Sequence, residues 1–108
     1  MDESEFEAAA QAALEALEHA LEQTELDFEL KAGGIVEIEF DDGSKIIVNR
    51  HAAAREIWVA ARGGGFHFRW DGAAWRDTRS GEELFAALSD HTSRQAGGPV
   101  SLKAKPGG

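Results

Sequence analysis

The chain has 108 residues, of which 43% are hydrophobic, and it carries a formal net charge of −9 at pH 7. This length suits one domain with its own core, the hydrophobic fraction is that of a folded protein, and the negative charge argues against nucleic acid or an anionic membrane as a partner. Cysteine is absent, which excludes disulfides, thiolate nucleophiles and cysteine-ligated metal sites, and no run of about eighteen apolar residues predicts a transmembrane helix.

An amphipathic helix is predicted over Ser4–Gln23. Apolar residues recur from Phe6 to Leu21 at three- and four-residue spacing and give one buried stripe. Ser4 and Glu7 fit a capping box, which predicts Ser4 as the N-cap residue. Polar residues repeat at the same spacing on the other side of the helix: Glu3, Glu7, Gln11, Glu15, Glu18 and Glu22.

Strands follow the first helix, because the apolar period changes from helical to two. Every second residue is apolar in Glu25–Lys31 and again in Val36–Phe40, and the pair Asp42-Gly43 is typical of a hairpin turn. Turns this short imply antiparallel neighbours. The remaining strands are predicted at Lys45–Arg50, Glu56–Ala61, Phe66–Trp70 and Ala74–Asp77.

A second helix is predicted after the strands. Ser80 and Glu83 fit another capping box, the apolar face extends to about Gln95, and Gly97-Gly98-Pro99 ends the helix. The expected fold is α+β: a two-layer sandwich in which a five- to seven-stranded antiparallel sheet has the N- and C-terminal helices packed on one face. We expect a single domain over residues 1–102 and a flexible tail over residues 103–108.

The charge is unevenly distributed along the chain. Residues 1–42 contain fourteen Asp and Glu and one Lys, whereas residues 43–108 contain six Asp and Glu and ten Lys and Arg. Such a negative surface attracts cations or a basic protein. The acidic start of the chain also lacks the basic and then apolar character of a secretory signal, so we expect a cytoplasmic protein.

Clustered carboxylates suit hard cations such as Ca²⁺, Mg²⁺, Mn²⁺ and iron, ferric iron most strongly. A helix face cannot supply six converging oxygens, so binding is expected to be weak and reversible. His19 either adds a nitrogen ligand for ferrous iron or simply lies at the helix edge. An ordinary solvated surface is the alternative for any single carboxylate. The predicted metal ligands, which we call the acidic ridge, are Glu15, Glu18, His19, Glu22, Glu25, Asp27 and Glu29.

No catalytic signature is found, so the chain is not expected to be an enzyme. The glycines have turn spacing, and His51, His67 and His91 are interpreted as ordinary polar surface. Trp58 lies between Ile57 and Val59, and strand alternation places it on the other face of the sheet from them. A solvent-facing Trp is typical of a protein–protein contact, although a core position for Trp58 is the alternative.

Four segments occur in the order found in the frataxin family, and they resemble its bacterial members most closely: Asp42–Arg50, Ile57–Ala60, Gly64–Phe68 and Trp75–Phe85. The resemblance runs from Ser4 to about Leu102. It implies a helix–sheet–helix sandwich that binds Fe²⁺ and Fe³⁺ weakly through the acidic ridge. It further implies a regulator of iron–sulfur cluster assembly that docks on the cysteine desulfurase and its scaffold protein.

The resemblance also assigns a partner surface, in which the family's exposed Trp matches Trp58. Many relatives have paired acids where this chain has His19 and Gln23, which predicts fewer or weaker iron sites. A ferroxidase or iron-storage oligomer is the alternative function, and an acidic interaction domain without a metal is a third. We expect a monomer, with an iron-dependent oligomer as the other possibility. The predicted partner contacts are Glu18, Glu22, Asp27, Glu37, Glu39, Asn49, Arg50 and Trp58.

Overall fold

Two α-helices and six strands make up the computed structural model, which describes residues 1–104. In chain order they are α1 (Glu3–Glu22), β1 (Asp27–Lys31), β2 (Ile35–Glu39), β3 (Lys45–His51), β4 (Glu56–Ala61), β5 (Gly64–Trp70), β6 (Trp75–Asp77) and α2 (Leu84–Ala96). The strands form one sheet in sequence order, and every neighbouring pair is antiparallel. The predicted fold class is confirmed, and β1 and β6 are the edge strands.

The first helix begins one residue earlier than predicted, and its N-cap is Asp2 rather than Ser4. The Asp2 carboxylate accepts a hydrogen bond from the Glu5 backbone N–H at 2.7 Å, and the Glu5 carboxylate accepts one from the Asp2 N–H at 3.2 Å. A carboxylate at this position also interacts favourably with the positive end of the helix dipole. The capping box is therefore present, displaced by two residues from the prediction.

The N-cap of α2 is likewise Glu83 and not Ser80. The Glu83 carboxylate accepts hydrogen bonds from the backbone N–H groups of Phe85 and Ala86 at 2.8 and 3.1 Å. Ser80 belongs instead to the preceding turn, because its own N–H donates to the Asp77 carboxylate at 3.0 Å. The helix then ends as predicted, with Gly97 in the left-handed conformation at φ 76°.

The core lies between the helices and one face of the sheet. The segment after α2 returns along that helix, where the Ser93 and Ser89 hydroxyls accept hydrogen bonds from the N–H groups of Val100 and Leu102 at 2.8 Å each. Leu102 is buried as a result, so this segment folds back on the core. The fully buried large side chains include Phe6, Leu17, Leu21, Ile38, Ile46, Ile57, Phe68 and Leu88.

No helix within residues 1–104 is long and apolar enough to cross a membrane. Lys103 and Ala104 are exposed. The rest of the predicted tail, residues 105–108, lies outside the described residues, and the domain boundary at residue 102 stays a prediction.

Candidate functional site

The helical part of the acidic ridge lies beside the buried stripe of α1. Glu15, Glu18 and Glu22 each follow a buried leucine by one residue, which rotates them about 100° around the helix axis. The row therefore borders the sheet rather than lying diametrically opposite the core. Glu15 and Glu18 face the end of β1 across a shallow groove, and Glu18 is half-buried for that reason.

The strand part of the ridge lies on the outer sheet face, which is the face without helices. Asp27 and Glu29 are exposed and pair across β1 and β2 with Glu39 and Glu37. Phe28, between them, points to the helix side and packs against the core. The structure thus brings the helix and strand carboxylates to the same edge of the molecule, but on the two sides of β1. Glu25, just before β1, is also exposed.

Glu37, one of the predicted partner contacts, is a largely buried carboxylate with two basic partners. Only 9% of the residue is exposed, and its carboxylate lies 2.8 Å from Lys31 Nζ and 2.7 Å from Lys45 Nζ. These lysines are its diagonal neighbours on β1 and β3, so their long side chains reach it from both sides. Hydrogen bonds from Lys31 and then Lys45 hold the pKa of Glu37 below its usual value. Any partner contact through Glu37 stays a prediction, whereas Glu39 remains exposed.

Most carboxylates of the ridge, unlike the neighbouring Glu37, have no basic partner in the described part of the chain. Glu15 accepts a hydrogen bond from the Gln11 amide at 2.9 Å, and Glu22 lies 3.9 Å from His19 Nδ1. Over residues 1–104, the ridge residues Glu18, Glu25, Asp27 and Glu29 form no ion pair, and neither does Glu39 beside them. Nor does any group of three or more His, Asp or Glu in that range converge closely enough to hold a metal ion. The ridge offers negative potential rather than a preformed cage.

Trp58 lies on the outer face of the sheet, as the alternation predicted, and not in the core. Ile57 and Val59 are buried under the helices. The indole is half-buried because two imidazole rings stack on it: His51 at 3.8 Å between ring centroids and 9° between planes, and His67 at 4.5 Å and 11°. These contacts hold the indole in one orientation.

A buried carboxylate lies next to the indole. Glu56 is 5% exposed and accepts hydrogen bonds from Trp58 Nε1 at 2.9 Å and from Arg69 Nη2 at 2.7 Å, and His67 Nδ1 lies 3.3 Å from it. Burial of the carboxyl opposes its ionisation, but the hydrogen bonds from Trp58 and Arg69 outweigh this and lower the pKa of Glu56. Glu56 therefore carries a charge that fixes the Trp58 ring edge.

The predicted contacts Asn49 and Arg50 separate onto opposite faces of β3. Asn49 is the cross-strand partner of Trp58 and shares its outer face. Arg50 is two residues along β3 from buried Val48 and therefore lies on the same, helix-facing side of the sheet. Its Nη1 lies 3.1 Å from the Glu7 carboxylate on α1. Arg50 therefore does not belong to the surface that contains Trp58, which corrects the grouping of the two residues.

His51, His67 and Glu56 were not predicted as site residues. Their position follows from the register of two hairpins: Ala61 pairs with Gly64, so counting back three residues from the turn pairs Trp58 with His67. Counting along β3 and β4 in the same way pairs His51 with Glu56. The turn lengths therefore contain the information that His51 and His67 lie beside Trp58, which the positions of the single histidines do not show.

The chain matches the family model described as a frataxin-like domain over residues 1–98. It is 61% identical over 105 residues to the iron–sulfur cluster assembly protein CyaY of Dechloromonas aromatica, covering 95% of this chain and 100% of that protein. It is 51% identical to the protein of the same name from Paraburkholderia phytofirmans, over 96% of this chain and 100% of the relative. The solved frataxin of Psychromonas ingrahamii superposes with a TM-score of 0.86 at 27% identity, over 95% of this chain and 99% of the other.

Proposed function

The chain belongs to the frataxin-like family, and on that premise we propose that it serves iron–sulfur cluster assembly as a non-enzymatic, iron-binding adaptor. In this proposal the acidic ridge binds Fe²⁺ and Fe³⁺ weakly and docks on the cysteine desulfurase and its scaffold protein. The cytoplasmic location expected from the sequence belongs to the same proposal.

The observation that carries the proposal is the row of carboxylates without ion-pair partners at the β1 edge. Like charges at this spacing destabilise a helix or a strand pair slightly. Within the described residues, lysines form ion pairs with the neighbouring Glu37 and not with the ridge carboxylates. Exposed carboxylate oxygens attract hard cations, but without a closed ligand set the ion keeps most of its water. Iron binding is therefore expected to be weak, salt-sensitive and reversible, so that the ion can be released again.

A partner can reach the ridge and Trp58 together. The strand part of the ridge, Asp27 and Glu29, lies on the outer sheet face with Trp58, and its helical part lies at the same edge of the molecule. Three strand spacings separate β1 from β4, which is about 14 Å at ~4.8 Å per spacing. A typical interface covers about 800 Å² on each partner, which is wide enough to span that distance. Charge attraction at the ridge would steer the encounter, and the fixed indole would supply an aromatic anchor.

The test reverses three charges of the ridge, Glu18→Lys, Glu22→Lys and Asp27→Lys, in one variant. We expect its affinity for the cysteine desulfurase, measured by calorimetric titration, to fall by more than tenfold at low salt. Circular dichroism should show an unchanged fold, because these side chains lie outside the core. Unchanged affinity in this variant would refute docking through the ridge.

A matched control carries three reversals away from the ridge: Glu3→Lys, Glu82→Lys and Asp90→Lys. It has the same net charge as the ridge variant, so it separates local complementarity from total charge. We expect it to bind the desulfurase within about threefold of the unaltered chain, since distant exposed charges are screened over ~10 Å at 0.1 M salt. Equal losses in both triple variants would mean that net charge alone governs binding.

The ferroxidase alternative makes a different prediction. Ferroxidase sites usually take Glu and His ligands from facing helices, whereas this ridge combines one helix with an edge strand. Saturable oxygen consumption on addition of Fe²⁺ would support that alternative, and stoichiometric Fe²⁺ binding without oxygen consumption would support the adaptor.

A further inference from the structure

A small groove separates α1 from the β1–β2 hairpin and has an apolar floor. Its volume is about 260 Å³, and its apolar lining includes Leu14, Leu30 and Val36. Leu30 is 53% exposed, and within residues 1–104 only Met1 among the large hydrophobic residues is comparably exposed. The groove lies below the usual size of organic ligand sites, about 300–1,000 Å³, and suits a single side chain.

Leu30 lies on an edge strand, and the core does not cover it. On β1, Phe28 points to the same side as Leu30 and packs partly against the core, whereas Leu30, two residues further along the strand, stays exposed. Four side chains of α1, Glu15 and Glu18 among them, line the groove with Leu30 but leave it half exposed.

The rim of the groove is negatively charged. Arg50 is the basic residue in the lining, and Glu7 on α1 already neutralises it at 3.1 Å. Glu15 accepts a hydrogen bond from a neutral amide, and Glu18 forms no ion pair in the described part of the chain. An apolar floor below two carboxylates without ion-pair partners suits a guest with an aliphatic stem and a cationic end.

We propose that the groove takes one lysine or arginine side chain from a basic segment of the desulfurase, a proposal that rests on the function above. The methylenes of the guest would lie on Leu30 and Leu14, and its charge would lie between Glu15 and Glu18, as long basic side chains do at apolar surfaces with a polar rim. An iron ion is a poorer occupant, because the floor supplies no oxygen ligands. Leu30 would thus add shape selectivity to an otherwise electrostatic contact.

The test compares Leu30→Thr with Leu30→Met in titrations against the purified desulfurase. Threonine suits an exposed strand position but removes most of the apolar floor, whereas methionine retains it. We expect Leu30→Thr to weaken binding about five- to tenfold and Leu30→Met to change it by less than twofold. Thermal unfolding and Fe²⁺ binding of both variants should match those of the unaltered chain, which separates the groove from the fold and from the iron sites.

A second variant, Glu18→Gln, completes a double-mutant cycle with Leu30→Thr. If one guest side chain contacts both residues, the double variant should lose less affinity than the two single losses combined. Full affinity in Leu30→Thr, while the triple charge reversal abolishes binding, would overturn the groove and leave docking through the ridge standing. No binding by the unaltered chain would overturn both. Self-association that Leu30→Thr abolishes would identify a second copy as the occupant and overturn the proposal.

Discussion

Glu56→Gln tests whether the carboxylate beside Trp58 organises the exposed indole. The substitution retains the shape of the side chain and one carbonyl acceptor but removes the charge. Glu56 is 5% exposed, and its two oxygens accept hydrogen bonds from Trp58 Nε1 at 2.9 Å and Arg69 Nη2 at 2.7 Å. The amide can retain one of these two bonds at most, and that bond becomes a neutral one.

The expected loss of stability follows from those two bonds. A hydrogen bond to a charged group contributes about 1.5–3 kcal/mol net and a neutral one about 0.5–1.5. Arg69 is 65% exposed at its side chain, so water can replace the carboxylate around it and the loss on that side is small. We therefore expect Glu56→Gln to lower the free energy of unfolding by about 1–2 kcal/mol. For a chain of this length that corresponds to about 4–9 °C in Tm.

The assay is urea unfolding of the unaltered chain and Glu56→Gln at pH 7 and at lower pH. Because the folded pKa of Glu56 is lowered, its contribution is fully present above the unfolded value of about 4.3 and is lost as the pH falls through the folded value. The difference in free energy of unfolding between the unaltered chain and Glu56→Gln should therefore decrease below about pH 4. Glu82→Gln, at an exposed carboxylate, is the control and should stay within about 0.5 kcal/mol of the unaltered chain.

Two results would refute this reasoning. Equal stability of Glu56→Gln and the unaltered chain at pH 7 would mean that the hydrogen bonds contribute nothing net. A difference that persists unchanged below pH 4 would mean that packing, and not charge, causes it. Trp58→Phe provides a further check, because it removes the N–H donor and retains a ring: combined with Glu56→Gln, the two losses should be less than additive.

Three other substitutions test separate parts of the structure. Glu37→Gln should make stability less sensitive to acid in thermal melts below about pH 5, because Lys31 and Lys45 lower the folded pKa of Glu37 and the stability it provides is lost as acid protonates it. Gly97→Ala should cost about 1–2 kcal/mol in chemical unfolding, since φ is 76° and a Cβ there meets nothing within 4 Å, so the cost is conformational alone. Phe6→Ala should cost about 3–5 kcal/mol through the cavity it leaves in the core, and a loss below 1 kcal/mol would mean that Phe6 is not buried as described.

The fold was predictable from the sequence because its signals are local and agree with one another. A helical apolar period changes to alternation after Gln23, and short turns then leave antiparallel pairing as the simple solution. Helix starts were less predictable. Near each start several residues can cap, and Asp2 and Glu83 compete with Ser4 and Ser80 within three residues, so only the hydrogen bonds decide between them.

The sequence predicted most of the residues that form the candidate site, but not which of them contact one another. The sequence identified the acidic ridge and the outward orientation of Trp58, since both depend on the periodicity of one element. It could not show that two lysines from neighbouring strands neutralise Glu37, because diagonal contacts depend on register. The imidazole rings on either side of the indole could have been found from the turn lengths, because these set the register of the strands. The separation of Asn49 from Arg50 needed only the alternation of a single strand.

The position of β1 at the sheet edge affects how readily two molecules associate. An edge strand presents backbone groups that can template pairing with a second molecule, and charged side chains are a common protection against it. Asp27 and Glu29 provide that protection here, since two copies approaching edge to edge would bring like charges together. Their repulsion weakens whenever a bound cation or a low pH neutralises them. In the proposed function the residues that bind iron are thus also those that keep the molecules apart, so iron binding at this strand would promote association.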